Sequence, residues 1–347
     1  MKPLVSIMIP NYNHSLYLER CIKSAINQTY DNLEIVVLDN SSNDNSIEIA
    51  TKFLADTRVR ICKNEYNCFN RSYMILSECL TCGKYLILLC ADDVLYPDFI
   101  LNAVEIMEKY PNVGYVHGEK DIIFDNGNYG GWNPFYKCSF VAPGRNAMPI
   151  YMVATVANAS QGVMRRQAFA SIGGYDQEIE HMQVDRTLWF YLSYNWDVAY
   201  IKEKSCAIHI GSQTETSITI KNSQHLIQSH LTLLNFIKFA KEHDLPEVYG
   251  RKDEAERRLA DEFVGYAARM FIQEDYEKTN SYLNYAKVIN RRIVDSENYK
   301  LVYSALNGET INKGIIRNLY LIDEHKKRGY EPPKDYMLLQ KECDYDA

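Results

Sequence analysis

The sequence of 347 residues has no long hydrophobic run. Its strongest apolar stretch, residues 85–91, has the length of a β-strand and falls far short of the roughly 18 to 20 apolar residues of a membrane helix. The N-terminus has no long apolar segment followed by a small-residue cleavage site, and therefore does not resemble a signal peptide. These absences predict a cytoplasmic protein.

The sequence also lacks a regular cysteine pattern and an excess of positive charge. Its nine cysteines are odd in number and scattered, as is typical of reduced thiols. Cys79 and Cys82 form one C-x-x-C pair, but the upstream Cys62 and Cys68 lie too far apart for a second, so the pattern favours buried thiols over a zinc or redox site. The formal net charge of −7 argues against a non-specific nucleic-acid binder, which needs a basic surface.

The first third of the chain alternates between strand-like and helix-like patterns. Residues 4–9, 34–38 and 85–90 are short apolar runs that predict buried strands, and residues 16–27 place their apolar side chains at helical spacing. This alternation predicts an α/β fold with a mostly parallel central sheet that is covered on both faces. No G-x-G-x-x-G follows the first strand, which argues against a dinucleotide-dependent oxidoreductase.

Polar side chains follow three of the predicted strands, and ligands of parallel sheets bind beyond the carboxyl ends of strands. The residues at these ends are Pro10, Asn11, Tyr12, Asp39, Asp92 and Asp93. Two adjacent carboxylates are unfavourable unless positive charge lies against them. A divalent cation shared with a diphosphate explains the Asp92–Asp93 pair better than capping of the next helix does.

The remaining chain divides into two parts. Residues 118–215 are irregular and rich in glycine and proline, as is common in loops that carry substrate contacts. From residue 222 onward, nearly continuous helical periodicity predicts an α-helical C-terminal domain or extension. We therefore predict one domain over residues 1–215 and a helical one over residues 222–347.

Several motifs in the right order resemble the family 2 glycosyltransferases. The segments VSIMIPNYN (5–13), SAINQTY (24–30) and EIVVLDNSSND (34–44) are similar to the opening of that family. The Asp92–Asp93 pair stands where the family carries its metal-binding Asp-x-Asp-like motif. The resemblance implies a GT-A (nucleotide-diphospho-sugar transferase) fold, a nucleotide-sugar donor, and Mn²⁺ or Mg²⁺ as the cofactor.

This resemblance covers roughly residues 3–215, because residues 162–176 are similar to the family's second conserved block. It implies a nucleotide-binding half over residues 1–117 and an acceptor and catalytic half over residues 118–215. Asn40 and Ser41 depart from the family's Asp-Asp-Gly-Ser motif. Since Asp39 is retained, we expect altered loop detail without loss of donor binding.

The resemblance also implies roles for residues of the donor site. Pro10, Asn11 and Tyr12 are similar to the strand end that cradles the base and ribose. Asp39 would accept a hydrogen bond from the base, a contact that suits N3–H of uracil and therefore favours a UDP-sugar. The resemblance further implies that Asp92 contacts the ribose or a metal-bound water and that Asp93 binds the metal directly. His209 would contact the diphosphate or the metal.

Asp185 is the acid that best matches the family's general base, which follows the second block on a helix. Asp176 and Glu180 are the alternatives, and capping of the helix is the structural alternative for Asp185 itself. A single base opposite the leaving group implies inversion at the anomeric carbon. The chain has neither the Gln-x-x-Arg-Trp signature nor the membrane helices of processive members, which implies that one sugar is added per encounter.

The expected partners are the nucleotide sugar and a glycan or lipid-linked saccharide acceptor, with no nucleic acid. Basic pairs at Arg257–Arg258 and Arg291–Arg292, and the cluster 326–328, leave three interpretations open. The helices could meet an anionic acceptor or the inner face of the membrane as a peripheral protein, present a solvated face, or pair two subunits as a homodimer. An inactive glycosyltransferase-like module that binds nucleotide or glycan is the alternative function, and the complete set of aspartates argues against it.

Overall fold

The computed structural model describes residues 1–67, 80–131, 133–174, 184–211, 224–323 and 329–339. The chain forms two compact units. The first comprises residues 1–151, 155–214 and 331–347, and the second comprises residues 152–154 and 215–330. Each unit is built around its own type of secondary structure.

A sheet of parallel strands forms one half of the first unit. Its strands are β1 (Val5–Asn11), β2 (Leu33–Asp39), β3 (Val59–Lys63) and β4 (Tyr85–Leu88), in the order β4-β1-β2-β3. The helices α1 (Ser15–Ile26) and α2 (Ser46–Thr51) follow β1 and β2. Helix α1 buries the stripe Leu18, Cys21, Ile22 and Ala25, because these residues share one helical face.

The same sheet continues beyond β4 as a mixed half. Its strands are β5 (Val94–Leu95), β6 (Val113–Phe124), β7 (Tyr129–Gly130), β8 (Phe140–Ala142), β9 (Gly162–Arg165), β10 (Asp197–Ile210) and β11 (Met337–Leu338). The order along the sheet is β11-β8-β10-β6-β9-β4-β1-β2-β3, and off this path β5 pairs with β10 and β7 with β6. Strand β9 is antiparallel to both β4 and β6, whereas β10 is parallel to β6. The main strands thus share one direction, and the predicted α/β class is confirmed.

Four further helices cover this half of the sheet. They are α3 (Phe99–Lys109), α4 (Gly144–Tyr151), α5 (Arg166–Ser171) and α6 (Val184–Asn195), with a 3₁₀ turn at Ala159–Gln161. Strand β6 continues through residues 117 and 118, where the sequence suggested a boundary between two halves. Its buried pattern extends over most of its length, so the core continues across residue 117, and the division into two halves stays a prediction about function.

The second unit is helical, as the periodicity after residue 222 predicts. Its helices are α7 (Gln224–Glu242), α8 (Pro246–Tyr249), α9 (Lys252–Ile272), α10 (Tyr276–Ile289), α11 (Glu297–Leu306) and α12 (Lys313–Asp323), with a 3₁₀ turn at Arg291–Asp295. Within the described part of the chain, no helix has both the length and the apolar character needed to cross a membrane.

The end of the chain belongs to the first unit and not to the helical one. Strand β11 pairs antiparallel with β8, which matches Met337 with Val141, and Glu331 forms an ion pair with Lys137. Residues 331–339 therefore differ from the helical C-terminal domain predicted over 222–347. A strand of two residues carries no periodicity that the sequence could reveal.

Candidate functional site

The ends of β1 and β2 are joined by side chains at the carboxyl edge of the sheet. Asn11 and Asp39 are register partners, and Nδ2 of Asn11 donates a 2.8 Å hydrogen bond to Oδ2 of Asp39. Oδ1 of Asp39 accepts a 2.9 Å bond from the backbone N–H of Ser42. Asp39 is only 1% exposed, so the protein itself holds this carboxylate in a single orientation.

The turn after β2 explains both departures from the family motif. Asn40 donates through Nδ2 to Oδ1 of Asn67 at 2.8 Å and accepts through Oδ1 from Nδ2 of Asn64 at 2.9 Å. An amide can make both bonds, whereas an ionised aspartate could only accept. Ser41 has a φ of 64°, in the left-handed region where the family has its glycine. The backbone shape of the motif is therefore retained with different side chains.

Pro10 and Tyr12 lie at the same edge, on either side of buried Asn11. Pro10 pairs in register with Leu38, and the Tyr12 side chain is 41% exposed. An exposed aromatic ring next to buried polar groups can stack on a nucleotide base. The structure thus brings Pro10, Asn11, Tyr12 and Asp39 together, as the parallel register requires.

Asp93 is held inside the protein by two hydrogen bonds. Its Oδ2 accepts from Oγ of Ser160 at 2.6 Å, and its Oδ1 accepts from the backbone N–H of His209 at 2.9 Å. The residue is 3% exposed. Burial, together with the charge of Asp92, raises the pKa of Asp93 to about 7. Each oxygen of Asp93 thus has one partner within the protein, and Asp93 is more deeply buried than Asp92, whose side chain is 15% exposed.

Asp92 is the carboxylate of the pair that faces His209. Its Oδ2 lies 3.2 Å from Nδ1 of His209, and Nε2 of the same ring lies 2.9 Å from Oδ1 of Asp125. Burial favours the neutral ring, but the hydrogen bond and charge of Asp92 outweigh it and raise the pKa of His209. Carboxylate oxygen suits Mn²⁺, and imidazole nitrogen binds several divalent first-row metals. Asp92 and His209 therefore present two donor atoms, 3.2 Å apart, that could hold a divalent cation.

Two side chains of helix α1 contact Asp92 and His209. The ring of Tyr17 lies 4.2 Å from that of His209, measured between centroids. The guanidinium of Arg20 lies over the Tyr17 ring at 4.9 Å, and its Nη2 donates a 2.8 Å bond to the carbonyl of Asp92. The backbone of Asp92 and the ring of His209 are thus both fixed from the same helix.

Asp185 lies in the first turn of α6, where its Oδ1 accepts a 2.7 Å bond from the N–H of Arg186. Burial raises the pKa of Asp185, and this bond together with the charge of Lys120 partly offsets the effect. Burial, followed by the charges of Asp93, Asp92 and Asp185, raises the pKa of the Cys90 thiol. The negative charge of Asp185 thus adds to those of Asp93 and Asp92 in disfavouring the Cys90 thiolate.

The alternative bases Asp176 and Glu180 lie outside the described residues. Four residues of the site escaped the sequence analysis: Ser160, Asp125, Tyr17 and Arg20. Each lies in a segment whose residues can be explained by local secondary structure without a role in binding. Asp125 begins an Asp-Asn-Gly turn, and Tyr17 and Arg20 belong to an amphipathic helix. No signal in the sequence separated them from structural residues.

Residues 6–173 match the family model described as Glycosyl transferase family 2. A Haemophilus influenzae protein named as an uncharacterized glycosyltransferase is 36% identical over 127 residues, which are 35% of this chain and 38% of that protein. Glycosyltransferase GlyG of Streptococcus pneumoniae is 33% identical over 101 residues, 29% of this chain and 34% of GlyG. The matched segment spans about a third of the length of these relatives.

Among solved structures, Staphylococcus aureus TarS 1-349 in complex with UDP-GlcNAc has a TM-score of 0.58 at 15% identity, over 93% of this chain and 92% of that one. The mannosyltransferase PcManGT from Pyrobaculum calidifontis, in complex with GDP-Man and Mn²⁺, has a TM-score of 0.53 at 13% identity, over 93% and 87% of the two chains. At these identities the likeness establishes the fold alone, and the fold is the GT-A fold that the motifs predict.

Proposed function

We propose, from the match of residues 6–173 to the model of glycosyltransferase family 2, that the protein is an inverting glycosyltransferase. It moves one sugar from a nucleotide-diphosphate sugar to a hydroxyl of a glycan or lipid-linked acceptor. The observation that carries this proposal is the parallel pairing of β1 with β2 and β4, because it brings Asn11, Asp39 and the Asp92–Asp93 segment to one edge of the sheet. One edge then holds groups suited to the base and to the diphosphate.

The donor is a UDP-sugar in this proposal. Asp39 uses two of the roughly four lone-pair sites of a carboxylate on Asn11 and Ser42, so it can still accept one bond from N3–H of uracil. Tyr12 supplies an exposed ring for stacking. Support for the nucleotide class comes from the structural neighbours, which bind UDP-GlcNAc and GDP-Man.

The metal would be held through Asp92 and His209, whose donor atoms lie 3.2 Å apart. Among the residues that the structure describes, no group of three or more histidine, cysteine or acidic side chains is arranged to hold an ion. Two protein ligands fit a hard cation that takes its remaining ligands from water and substrate phosphates. The cation, when bound, neutralises charge on the departing diphosphate. Asp93 would act indirectly, by fixing the backbone of His209.

Asp185 is the proposed general base. It takes the proton of the acceptor hydroxyl as that oxygen attacks the anomeric carbon, while the bond from this carbon to the nucleotide diphosphate breaks. The raised pKa of Asp185 makes it a stronger base than an exposed aspartate. Attack from the face opposite the leaving group inverts the anomeric configuration.

Acceptor recognition is assigned to residues after 222, since all motifs matched to donor and base lie before residue 215. Arg291 and Arg292 are both exposed and offer positive charge to an anionic acceptor or to the inner membrane surface. A cytoplasmic location, peripheral membrane contact and a homodimer through the helices belong to the same proposal.

A screen of nucleotide sugars by thermal shift, with and without Mn²⁺, tests the donor and the metal. A ligand at a hundred times its dissociation constant should stabilise the protein by about 2.7 kcal/mol. Release of UDP from the best ligand should then require Mn²⁺. Nucleotide binding without any transfer or hydrolysis would identify an inactive module instead.

A further inference from the structure

Asp125 contacts the far side of the His209 ring from Asp92. It follows β6 directly, and its side chain is 50% exposed. Its Oδ1 lies 2.9 Å from Nε2 of His209 and also accepts a 3.0 Å bond from the hydroxyl of Tyr17. The ring of His209, whose side chain is 1% exposed, therefore lies between two carboxylates.

A neutral imidazole carries a single N–H, so it can donate a hydrogen bond to only one of these two carboxylates. The contact with Asp125 is shorter than the 3.2 Å contact with Asp92. Tyr17 supports the contact between Asp125 and His209. Its ring packs on the His209 ring, and its hydroxyl donates to the same Oδ1 of Asp125. The geometry favours the proton on Nε2.

Gly211 provides the room for this contact. A Cβ atom at that position would lie 2.3 Å from Oδ1 of Asp125 and 2.8 Å from Cε1 of His209. Both distances are shorter than real Cβ contacts, so any side chain would displace the carboxylate or the ring. The close approach of Asp125 to His209 thus depends on a glycine two residues after the histidine.

We propose that Asp125 is a positioning residue, which holds the proton of neutral His209 on Nε2 and so leaves the lone pair of Nδ1 directed at the Asp92 side. A histidine that binds a metal through one nitrogen commonly donates the other N–H to a carboxylate, which sets its tautomer and orientation. The inference rests on the proposed function, because a cation beside Asp92 is what would use this lone pair.

The tautomer can be observed in the metal-free full-length protein. Two-bond ¹H–¹⁵N correlation spectra at alkaline pH distinguish Nδ1–H from Nε2–H, and His209→Gln assigns the signal. We expect Nε2–H in the wild type. Asp125→Leu removes the acceptor and should populate Nδ1–H, which can donate to Asp92. Asp125→Asn keeps an oxygen acceptor and should restore Nε2–H.

Binding of Mn²⁺ in the presence of UDP provides the second readout. Loss of such a supporting carboxylate typically weakens metal binding by about 10–100-fold, which we expect for Asp125→Leu. Asp125→Asn should bind nearly as well as the wild type. Asp98→Asn, at an exposed aspartate before α3, removes one negative charge elsewhere and should change neither the tautomer nor the affinity.

The outcomes separate the two proposals. A wild-type Nδ1–H tautomer, or an unchanged Nε2–H tautomer in Asp125→Leu, overturns the positioning role of Asp125. If Asp125→Leu shifts the tautomer but leaves the Mn²⁺ affinity unchanged, the positioning of His209 by Asp125 is supported. The assignment of His209 as a metal ligand is then overturned. If the wild type binds no UDP with Mn²⁺ while the tautomer responds as expected, the proposed function fails and the contact stands.

Discussion

The backbone N–H of His209 donates a 2.9 Å hydrogen bond to Oδ1 of Asp93, although 116 residues separate the two along the chain. Ser160 occupies the other oxygen of the same carboxylate. Asp93 therefore joins the end of β10 to the segment after β4 and sets the position from which the His209 ring meets Asp92. The two neighbouring aspartates make different contacts, so we expect their variants to differ in metal-dependent binding and in stability.

For Asp92→Asn, we expect loss of metal-dependent UDP binding without loss of the fold. The amide keeps the size of the side chain but removes the charge that attracts a cation. Calorimetry with Mn²⁺ and with EDTA measures this directly. UDP binding that is as strong in EDTA as in Mn²⁺ would contradict a metal-dependent site.

For Asp93→Ala, the expected effect is mainly on stability. Removal of the carboxylate leaves the Ser160 hydroxyl and the His209 N–H without their acceptor, at about 1–3 kcal/mol for each buried group left unpaired. Thermal or urea unfolding measures the loss. A fully stable Asp93→Ala protein that no longer binds Mn²⁺ would instead identify Asp93 as the direct ligand.

Asp185→Asn should lower the rate of sugar transfer by about 10²- to 10⁴-fold, the usual contribution of a general base. The amide cannot accept the proton, while donor affinity should hardly change. In the wild type, activity should fall as acidic pH protonates Asp185, at a pH above the ordinary range because burial raises its pKa. A fully active variant would transfer the role to Asp176 or Glu180.

His117 gives a test of pH-dependent stability away from the site. It is fully buried beside the ring of Tyr200 at 5.2 Å, and its ring nitrogens have no hydrogen-bond partner among the described residues. Burial lowers its pKa from 6.5 to about 3. Between these values the unfolded chain binds more protons than the folded one, so stability must fall as pH falls.

The comparison of wild type with His117→Leu isolates this effect. The wild type should lose more melting temperature between pH 7 and pH 5 than the variant, because only the wild type has this histidine to protonate on unfolding. His243→Leu, at an exposed histidine directly after α7, is the matched control and should keep the wild-type dependence. Equal pH dependence in wild type and His117→Leu would contradict the prediction.

The helical unit is tested by charge reversal. The double variant Arg291→Glu with Arg292→Glu should weaken transfer to an anionic acceptor and binding to anionic vesicles, by about 1 kcal/mol for each cation that lies near such a surface. Hydrolysis of the nucleotide sugar should continue at the wild-type rate. Lys238→Glu with Lys241→Glu changes the charge by the same amount on α7. Equal losses in both double variants would indicate a general charge effect and not a docking surface.

The parallel half of the sheet could be predicted because its strands are buried on both faces. Such strands are continuous apolar runs, and the runs at residues 4–9, 34–38 and 85–90 correspond to β1, β2 and β4. The long strand β10 was not predicted. It lies in a region that alternates polar and apolar residues irregularly, and its pairing with β6 contains bulges between Tyr200 and Cys206.

The sequence alone predicts which residues meet at the strand ends, since a parallel sheet brings the carboxyl ends of its strands to one edge. That rule predicts the meeting of Asn11 with Asp39, and the register of β1 and β2 confirms it. The family resemblance extended the prediction to the GT-A fold, because several motifs occur in a fixed order over residues 3–215.

Only the tertiary structure decided what each carboxylate contacts. Asp92 and Asp93 are adjacent and chemically identical, and the family resemblance implies direct metal ligation for Asp93. The folded chain buries Asp93 between Ser160 and the His209 backbone and directs Asp92 at the His209 ring. The direction of a side chain beyond a strand end depends on the path of the loop and on contacts from distant segments. Those contacts exist only after the chain has folded, so no local pattern of residues could have encoded them visibly.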